Sequence, residues 1–394
     1  MSKIYLDYAA TTPVDSKVLK AMLPYLRKEF GNASSIHGFG QRALAAIDEA
    51  REKVAGLLAC EPREIIFTGS ATEANNLAIF GIADKGSHII TSQIEHRSVL
   101  EPCGVLQKKG VEVDYLPVDN EGRVDPAEVK KAIKPNTVLV SIMYANNEIG
   151  TVQPIAEIAK VIRRASSGKK IYFHTDAVQA LNYLDCDVRK LQVDLLTLSG
   201  HKIYGPKGVG ALFVKKGTPL RSLICGGGQE MGLRSGTENV AGIVGLGWAV
   251  QELQNPKIKM HNIKLRQMRD KLIRGVLRVI PDSRLNGHAK LRLPNNINLS
   301  FKGVEGEALV IALDQKGIAC STGSACSTKS LEPSHVLLAI GLTYEQAHGS
   351  LRITLGRYTS DKEIEKFLKV LPVLVKKLRE ISGYKSRANK SNNK

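Results

Sequence analysis

Between Ile65 and Leu198 the chain alternates short apolar runs with longer amphipathic stretches, and no other feature narrows the possible folds as much. Ile65-Ile66-Phe67 precedes a helical pattern from about Ala71, and Ile89-Ile90 precedes one from about Arg97. Val138 to Met143 precedes a third near Pro154, and Ile171-Tyr172-Phe173 and Leu195-Leu196-Thr197-Leu198 follow as further runs. Runs this short and apolar predict buried strands. Alternation with helices predicts an α/β fold: a mostly parallel central sheet with helices on both faces. Such sheets bind ligands beyond the carboxyl ends of their strands. The chemistry is therefore expected just after each apolar run.

The flanks are legible too. Val18, Leu19, Met22, Leu23 and Leu26 recur at helical spacing after Asp15, and another helix is expected from about Gln41 to Leu58. Asp125-Pro126-Ala127-Glu128 combines an N-cap acid, a proline at the first helical position and a glutamate at the third. From about residue 262 the pattern changes. A long basic helix leads to Asn295–Phe301, which alternates like a half-exposed strand. Helices around Gly306–Lys316 and Pro333–Gly341, a strand at Leu351–Leu355 and a last helix from Asp361 follow. The expected organisation is a large domain over residues 15–261, a smaller α+β domain from 1–14 and 262–382, and a basic disordered tail at 383–394.

Composition excludes several classes. With 43% apolar and 24% charged residues, the chain is neither collagenous, nor a disulfide scaffold, nor wholly disordered. The longest uncharged apolar stretch, Ala241 to Val250, falls short of the ~20 residues a bilayer span needs. Asp7 interrupts the N-terminus before a signal-peptide apolar region forms, so a cytoplasmic location is expected. Six cysteines lie scattered without a C-x-x-C pair and read as free thiols. The net charge of +18 is partly local, because residues 255–278 carry eight Lys or Arg against one Asp. A solvated helix face, an acidic protein partner and a nucleic acid all fit that charge. For the last, however, no aromatics interleave with the basic residues and no helix-turn-helix or zinc pattern occurs.

Three strand ends carry unusual polar groups. Thr68-Gly69-Ser70-Ala71-Thr72-Glu73 is a turn of small residues opening a helix, suited to a phosphate or to simple capping. His174-Thr175-Asp176-Ala177-Val178-Gln179 puts a carboxylate at the end of a buried strand, where it either caps a turn or meets a protonated ring nitrogen. Ser199-Gly200-His201-Lys202 puts a lysine in a glycine-flanked turn, where desolvation would make its amine nucleophilic toward carbonyls. An Asp followed 26 residues later by a Lys on the next buried strand is the spacing expected for pyridoxal phosphate (PLP) held covalently by a lysine. No Walker A sequence, no strand-linked G-x-G-x-x-G and no His/Cys metal spacing accompanies them.

Taken together the motifs resemble the cysteine desulfurases of the NifS/IscS class, in the class-V aminotransferase family of fold type I PLP enzymes. The likeness runs from Tyr5-Leu6-Asp7 to about residue 382. It rests on Ala71–Asn76, Glu95-His96, Asn146–Gly150, Asp176–Gln179, Ser199–Lys202 and Arg234–Thr237. To these it adds Ser321-Thr322-Gly323-Ser324-Ala325-Cys326 with Leu331–Ser334, of the long-loop type. The resemblance implies that Lys202 holds PLP and moves the substrate's α-proton. It implies that Asp176 pairs with the ring nitrogen, Gln179 bonds the phenolic oxygen and His96 stacks on the ring and assists proton transfer. Ala71, Thr72, Ser199 and His201 would hold the phosphate, with Thr237 reaching across from the second subunit of a homodimer. Asn147 and Arg352 would hold L-cysteine, assisted by Asn32, with Arg352 clamping the carboxylate.

Cys326 would attack the substrate sulfur, leaving alanine and a persulfide that passes to an iron–sulfur scaffold or another acceptor protein. No intrinsic metal is implied, beyond Cys326 as a transient iron–sulfur ligand shared with such a scaffold. Cys320, after Gly317-Ile318-Ala319, reads instead as a thiol closing a buried run. Selenocysteine cleavage and sulfur donation for tRNA thiolation are alternatives on the same machinery. A PLP aminotransferase and a basic nucleic-acid-binding protein are more distant ones.

Overall fold

The computed structural model describes residues 3–166, 168–323 and 332–384, so Cys326 and the basic tail from 385 lie outside the described residues. The first third of the chain runs β1 (Ile4–Tyr5), α1 (Ser16–Arg27), α2 (Gly38–Leu58), β2 (Ile65–Thr68), α3 (Ala71–Ile82), β3 (His88–Ser92), α4 (Arg97–Lys108) and β4 (Glu112–Leu116). The middle runs α5 (Pro126–Ala132), β5 (Thr137–Ser141), α6 (Ile155–Ala165), β6 (Tyr172–Asp176), α7 (Val188–Leu191), β7 (Leu195–Ser199), β8 (Gly210–Val214) and α8 (Val240–Leu253). The remainder is α9 (Pro256–Val279), β9 (Ser283–Leu285), β10 (Asn296–Phe301), α10 (Gly306–Asp314), β11 (Ile318–Ala319), α11 (His335–Ala339), α12 (Tyr344–His348), β12 (Ser350–Thr354) and α13 (Asp361–Ile381).

A seven-stranded sheet in the order β2-β8-β7-β6-β5-β3-β4 forms the centre. Its strands are parallel except β8, which runs antiparallel to both neighbours. Both faces are buried, as the apolar runs require. Ile65, Phe67, Ile90, Val140, Leu196 and Phe213 pack with α2, α6 and α8 on one side. Their neighbours Ile66, Ile89, Leu139, Leu195 and Leu212 pack with α3 and α4 on the other. Successive side chains of a strand point to opposite faces, so one run serves two cores.

A second core gathers residues of α9, β10, α10, β12 and α13 around an antiparallel β12-β10-β9 sheet. Ile4 and Leu6 belong to this core, and β1 pairs in parallel with β11.

Two local expectations differ from what is found. All six residues of β10 are buried rather than half exposed. Its polar face looks inward: Asn298 Nδ2 donates to Glu148 O at 3.2 Å, and Asn286 Nδ2 donates to Asn298 Oδ1 and Ser300 Oγ at 2.8 and 2.7 Å. The alternation therefore marks a hydrogen-bonded junction with the 146–150 turn. Gly150 makes that junction possible, since it has φ +75° and any Cβ there would stand 2.7 Å from Asn296 Oδ1. The second difference is α1, which forms after its Asp15 cap as expected but buries only Val18. Leu19, Leu23 and Leu26 are exposed.

Candidate active site

The carboxyl ends of β2, β3, β5, β6 and β7 converge on a cavity of about 320 Å³, within the size range of small-molecule sites. Ala71, Thr72, His96, Asn147 and Asp176 line it, as do Gln179, Ser199, His201, Lys202 and Arg352. Asn32 and Thr237 do not; both are exposed in this chain, and Asn32 Oδ1 accepts from Ser34 N at 2.9 Å.

At the end of β2, Ser70 caps α3 by accepting from Glu73 N at 3.1 Å, which leaves the Ala71 and Thr72 end of the helix facing the cavity. Glu73 braces this turn. Its Oε2 accepts from Gly69 N and its Oε1 from Arg234 Nε, both at 2.8 Å. Capping and anion-binding readings of the turn are thus compatible, because different groups serve each.

Asp176 closes β6 and is 7% exposed. Its Oδ2 accepts from Asn75 Nδ2 at 2.8 Å and its Oδ1 from Val178 N at 3.0 Å. Lys202 follows β7 and donates to Ala9 O at 2.6 Å and Ala10 O at 2.8 Å. Gln179 Nε2 donates to the same Ala9 carbonyl at 3.1 Å. The N-terminal segment therefore forms part of the cavity wall. Thr12 Oγ1 bridges it to the β7 turn, donating to His201 O at 3.0 Å and accepting from Tyr204 N at 2.8 Å.

His96 both caps α4 and lines the cavity, so capping does not take the ring away from the cavity. Burial first, then the Lys202 and Arg97 charges, lower its pKa against the pull of Asp176. Burial, with Lys202 and Lys207, pushes His201 down to about 4. Both imidazoles are neutral at physiological pH.

Arg352 on β12 is 2% exposed. Its Nη2 donates to Asp7 Oδ1 at 2.9 Å and its Nη1 to Asn147 O at 3.3 Å. Nε has no partner among the described residues. A guanidinium fixed by its flanks at a cavity wall suits a carboxylate ligand.

Several lining residues were not anticipated. Glu148 is 4% exposed, and burial raises its carboxyl to about 7 against the pull of the Ser334 hydroxyl, Arg352 and Arg97. It accepts from Ser334 Oγ at 2.5 Å. His335 reaches the cavity from α11 and donates through Nε2 to Glu95 O at 2.9 Å. Ser98 lines the cavity as well, and Asn75 supports it from behind, donating to Ser98 Oγ at 2.8 Å. These sit one helical turn or one junction away from the strand ends, where an apolar-run argument does not look. Cys320 is buried, and desolvation pushes its thiol up to about 12, as befits an inert sulfur.

The donor set matches pyridoxal phosphate. A helix start with a hydroxyl and an imidazole beside it suits the phosphate. A buried carboxylate suits the ring nitrogen, and a turn lysine suits the aldehyde.

The aminotransferase class-V model matches residues 4–367. The chain belongs to that family. Within it, the chain is 53% identical to the cysteine desulfurase IscS of Dictyoglomus turgidum, with 97% of each chain covered. It is 52% identical to the cysteine desulfurase IscS of Methanosarcina thermophila, covering 96% of this chain and 93% of the relative. Among solved structures, a NifS-like protein superposes with a TM-score of 0.87 at 38% identity, covering 97% of this chain and 99% of that one. The structure of SspA in complex with cysteine gives a TM-score of 0.80 at 41% identity, covering 91% and 100%.

Proposed function

We propose that the protein is a PLP-dependent cysteine desulfurase: it converts L-cysteine to L-alanine and retains the sulfur as a persulfide on Cys326. The observation that carries this reading is the convergence of Lys202, Asp176 and Arg352 on one cavity. Bound PLP supplies an electron sink that loosens bonds at the amino acid's α-carbon. The chain's own groups do the rest. Arg352 and Asn147 take the substrate carboxylate and fix which bond stands toward the reacting face. Asp176 keeps the cofactor's ring nitrogen protonated, and the Lys202 amine, in its other role, carries the α-proton. His96 and His201, neutral at working pH, donate and accept hydrogen bonds without adding charge. Cys326 takes the sulfur and hands it to an acceptor protein, with iron–sulfur cluster assembly as the principal destination.

The same reading assigns Thr237 and Asn32 to the cavity of a second subunit. Both are exposed in this chain, and so are the large apolar side chains of Leu23, Leu26, Phe30 and Ile36 nearby in sequence. Apolar groups in such number suit a contact between two copies. The large domain is residues 15–261, and 1–14 join 262–382 in the smaller one. A cytoplasmic location belongs to the same proposal; no helix of the described residues is long and apolar enough to cross a membrane.

Two variants test the proposal. Cys326→Ala is expected to keep the yellow bound cofactor and lose alanine production from L-cysteine. Lys202→Ala is expected to lose the covalent cofactor and the activity. Normal alanine production by Cys326→Ala would contradict the persulfide route.

A further inference from the structure

His96 stands in a chain of hydrogen bonds whose donors can be ordered without ambiguity. The backbone N–H of Ser98 donates to His96 Nδ1 at 3.1 Å. A backbone amide has only a hydrogen to offer, so Nδ1 is an acceptor. The neutral ring therefore carries its proton on Nε2. Ser98 Oγ lies 2.7 Å from the same Nδ1 and must donate to it as well. That leaves the hydroxyl oxygen to accept from Asn75 Nδ2 at 2.8 Å. The same amide nitrogen donates to Asp176 Oδ2, also at 2.8 Å. The sequence of donors is thus Asn75 to Asp176 in one direction, and Asn75 to Ser98 to His96 in the other.

Asn75 is 0% exposed and Ser98 is 8% exposed, so water does not compete for these bonds. The carboxylate of Asp176 fixes the amide orientation of Asn75, because only the NH₂ group can face it. Each link then fixes the next. Networks of this kind polarise one another in a low-dielectric interior.

We propose that Asn75 and Ser98 are positioning residues that hold His96 as the Nε2–H tautomer and lock that choice to the carboxylate of Asp176. Nδ1 is thereby removed from any role as a base, and a ring N–H is kept as the group His96 offers to a ligand. A fixed N–H donor in this cavity suits an anionic ligand atom, and the thiolate of bound L-cysteine is the one the reaction brings. The proton assignment stands on the hydrogen-bond geometry alone, whereas its use toward the thiolate rests on the desulfurase reading.

The test uses the holoenzyme labelled with ¹⁵N-histidine, with the His96 signals assigned by their loss in His96→Gln. At neutral pH Nδ1 is expected in the pyridine-like range and Nε2 in the pyrrole-like range. Ser98→Ala keeps the backbone N–H and so leaves the proton on Nε2, but without the hydroxyl bond it is expected to move the Nδ1 signal further into the pyridine-like range and to lower kcat about tenfold, with the bound cofactor unchanged. Ser98→Thr, which keeps a hydroxyl, is expected to restore both. Asn75→Ala frees the Ser98 hydroxyl to rotate and is expected to move the signals in the same direction. A wild-type proton on Nδ1, a charged ring at neutral pH, or unaltered signals and kcat in Ser98→Ala would each overturn the proposal. Turnover surviving in Cys326→Ala would instead sink the desulfurase reading and leave the tautomer result intact.

Discussion

Glu95 is wholly buried one residue before His96, and no ion pair reaches it among the described residues. Its carboxylate accepts from Ser92 Oγ at 2.6 Å and from Met143 N at 3.0 Å. Burial raises its pKa from 4.5 to about 8, opposed by those two donors. Glu148 is raised the same way, to about 7. A carboxyl raised in the folded state holds a proton that the unfolded chain has already released. The stability it contributes is complete below the ordinary carboxyl range and is lost as pH rises through about 8. Glu95→Gln keeps the shape and cannot ionise. Thermal unfolding between about pH 5 and about pH 9 should therefore show the wild type losing ground to Glu95→Gln, by an amount on the order of a few kcal/mol. Parallel curves would contradict this account of the buried acid.

At the level of elements, β8 explains how the turn ahead of α3 keeps its shape. Gly210 lies where β8 passes the start of α3, and a Cβ there would stand 2.8 Å from the Ser70 carbonyl carbon and 2.9 Å from Ala71 N. Gly210→Ala must push back the α3 start, an overpacking cost of about 1–3 kcal/mol. It should release PLP more readily on dialysis, measured by the loss of visible absorbance. Gly56→Ala, on α2 with open space around it, is the control and should retain the cofactor. Full retention in Gly210→Ala would show that the helix start does not depend on this contact.

Neither β8 nor β4 stood out in the sequence. Gly210-Ala211-Leu212-Phe213-Val214 follows a glycine- and lysine-rich turn without a crossover helix, and β4 opens on Glu112 with a half-buried Asp114. The strands that were legible, β2, β3, β5, β6 and β7, stand in the regular alternation of apolar run and following helix or polar turn, whereas β8 is buried on both faces too but falls outside that alternation. The same logic explains the site. Asp176, Ser199, Lys202 and Ala71 could be placed because they follow such runs directly. Asn75 and Ser98 could not, since a buried asparagine and a helix-start serine look alike whether they brace a site or merely cap. The inward polar face of β10 looked like solvent exposure for a related reason: period-2 polarity does not say whether water or another chain segment meets it.

For the molecule as a whole, the basic excess is partly answered within the fold. Lys264 and Lys271 on α9 pair with Asp361 and Glu365 on α13 at 3.2 and 3.1 Å. The α9 charge is therefore in part a solvated helix face bridged to its neighbour. The apolar exposure of α1 and the segment after it has no such internal answer among the described residues, and the homodimer proposed above would cover it. The proposed chemistry turns on a single thiol. L-Cysteine added to the holoenzyme, followed by rapid alkylation, digestion and mass spectrometry, shows directly which cysteine gains a sulfur atom. One added sulfur on the Cys326 peptide with stoichiometric alanine is expected; sulfur on Cys320 instead, or on no cysteine, would overturn the persulfide route.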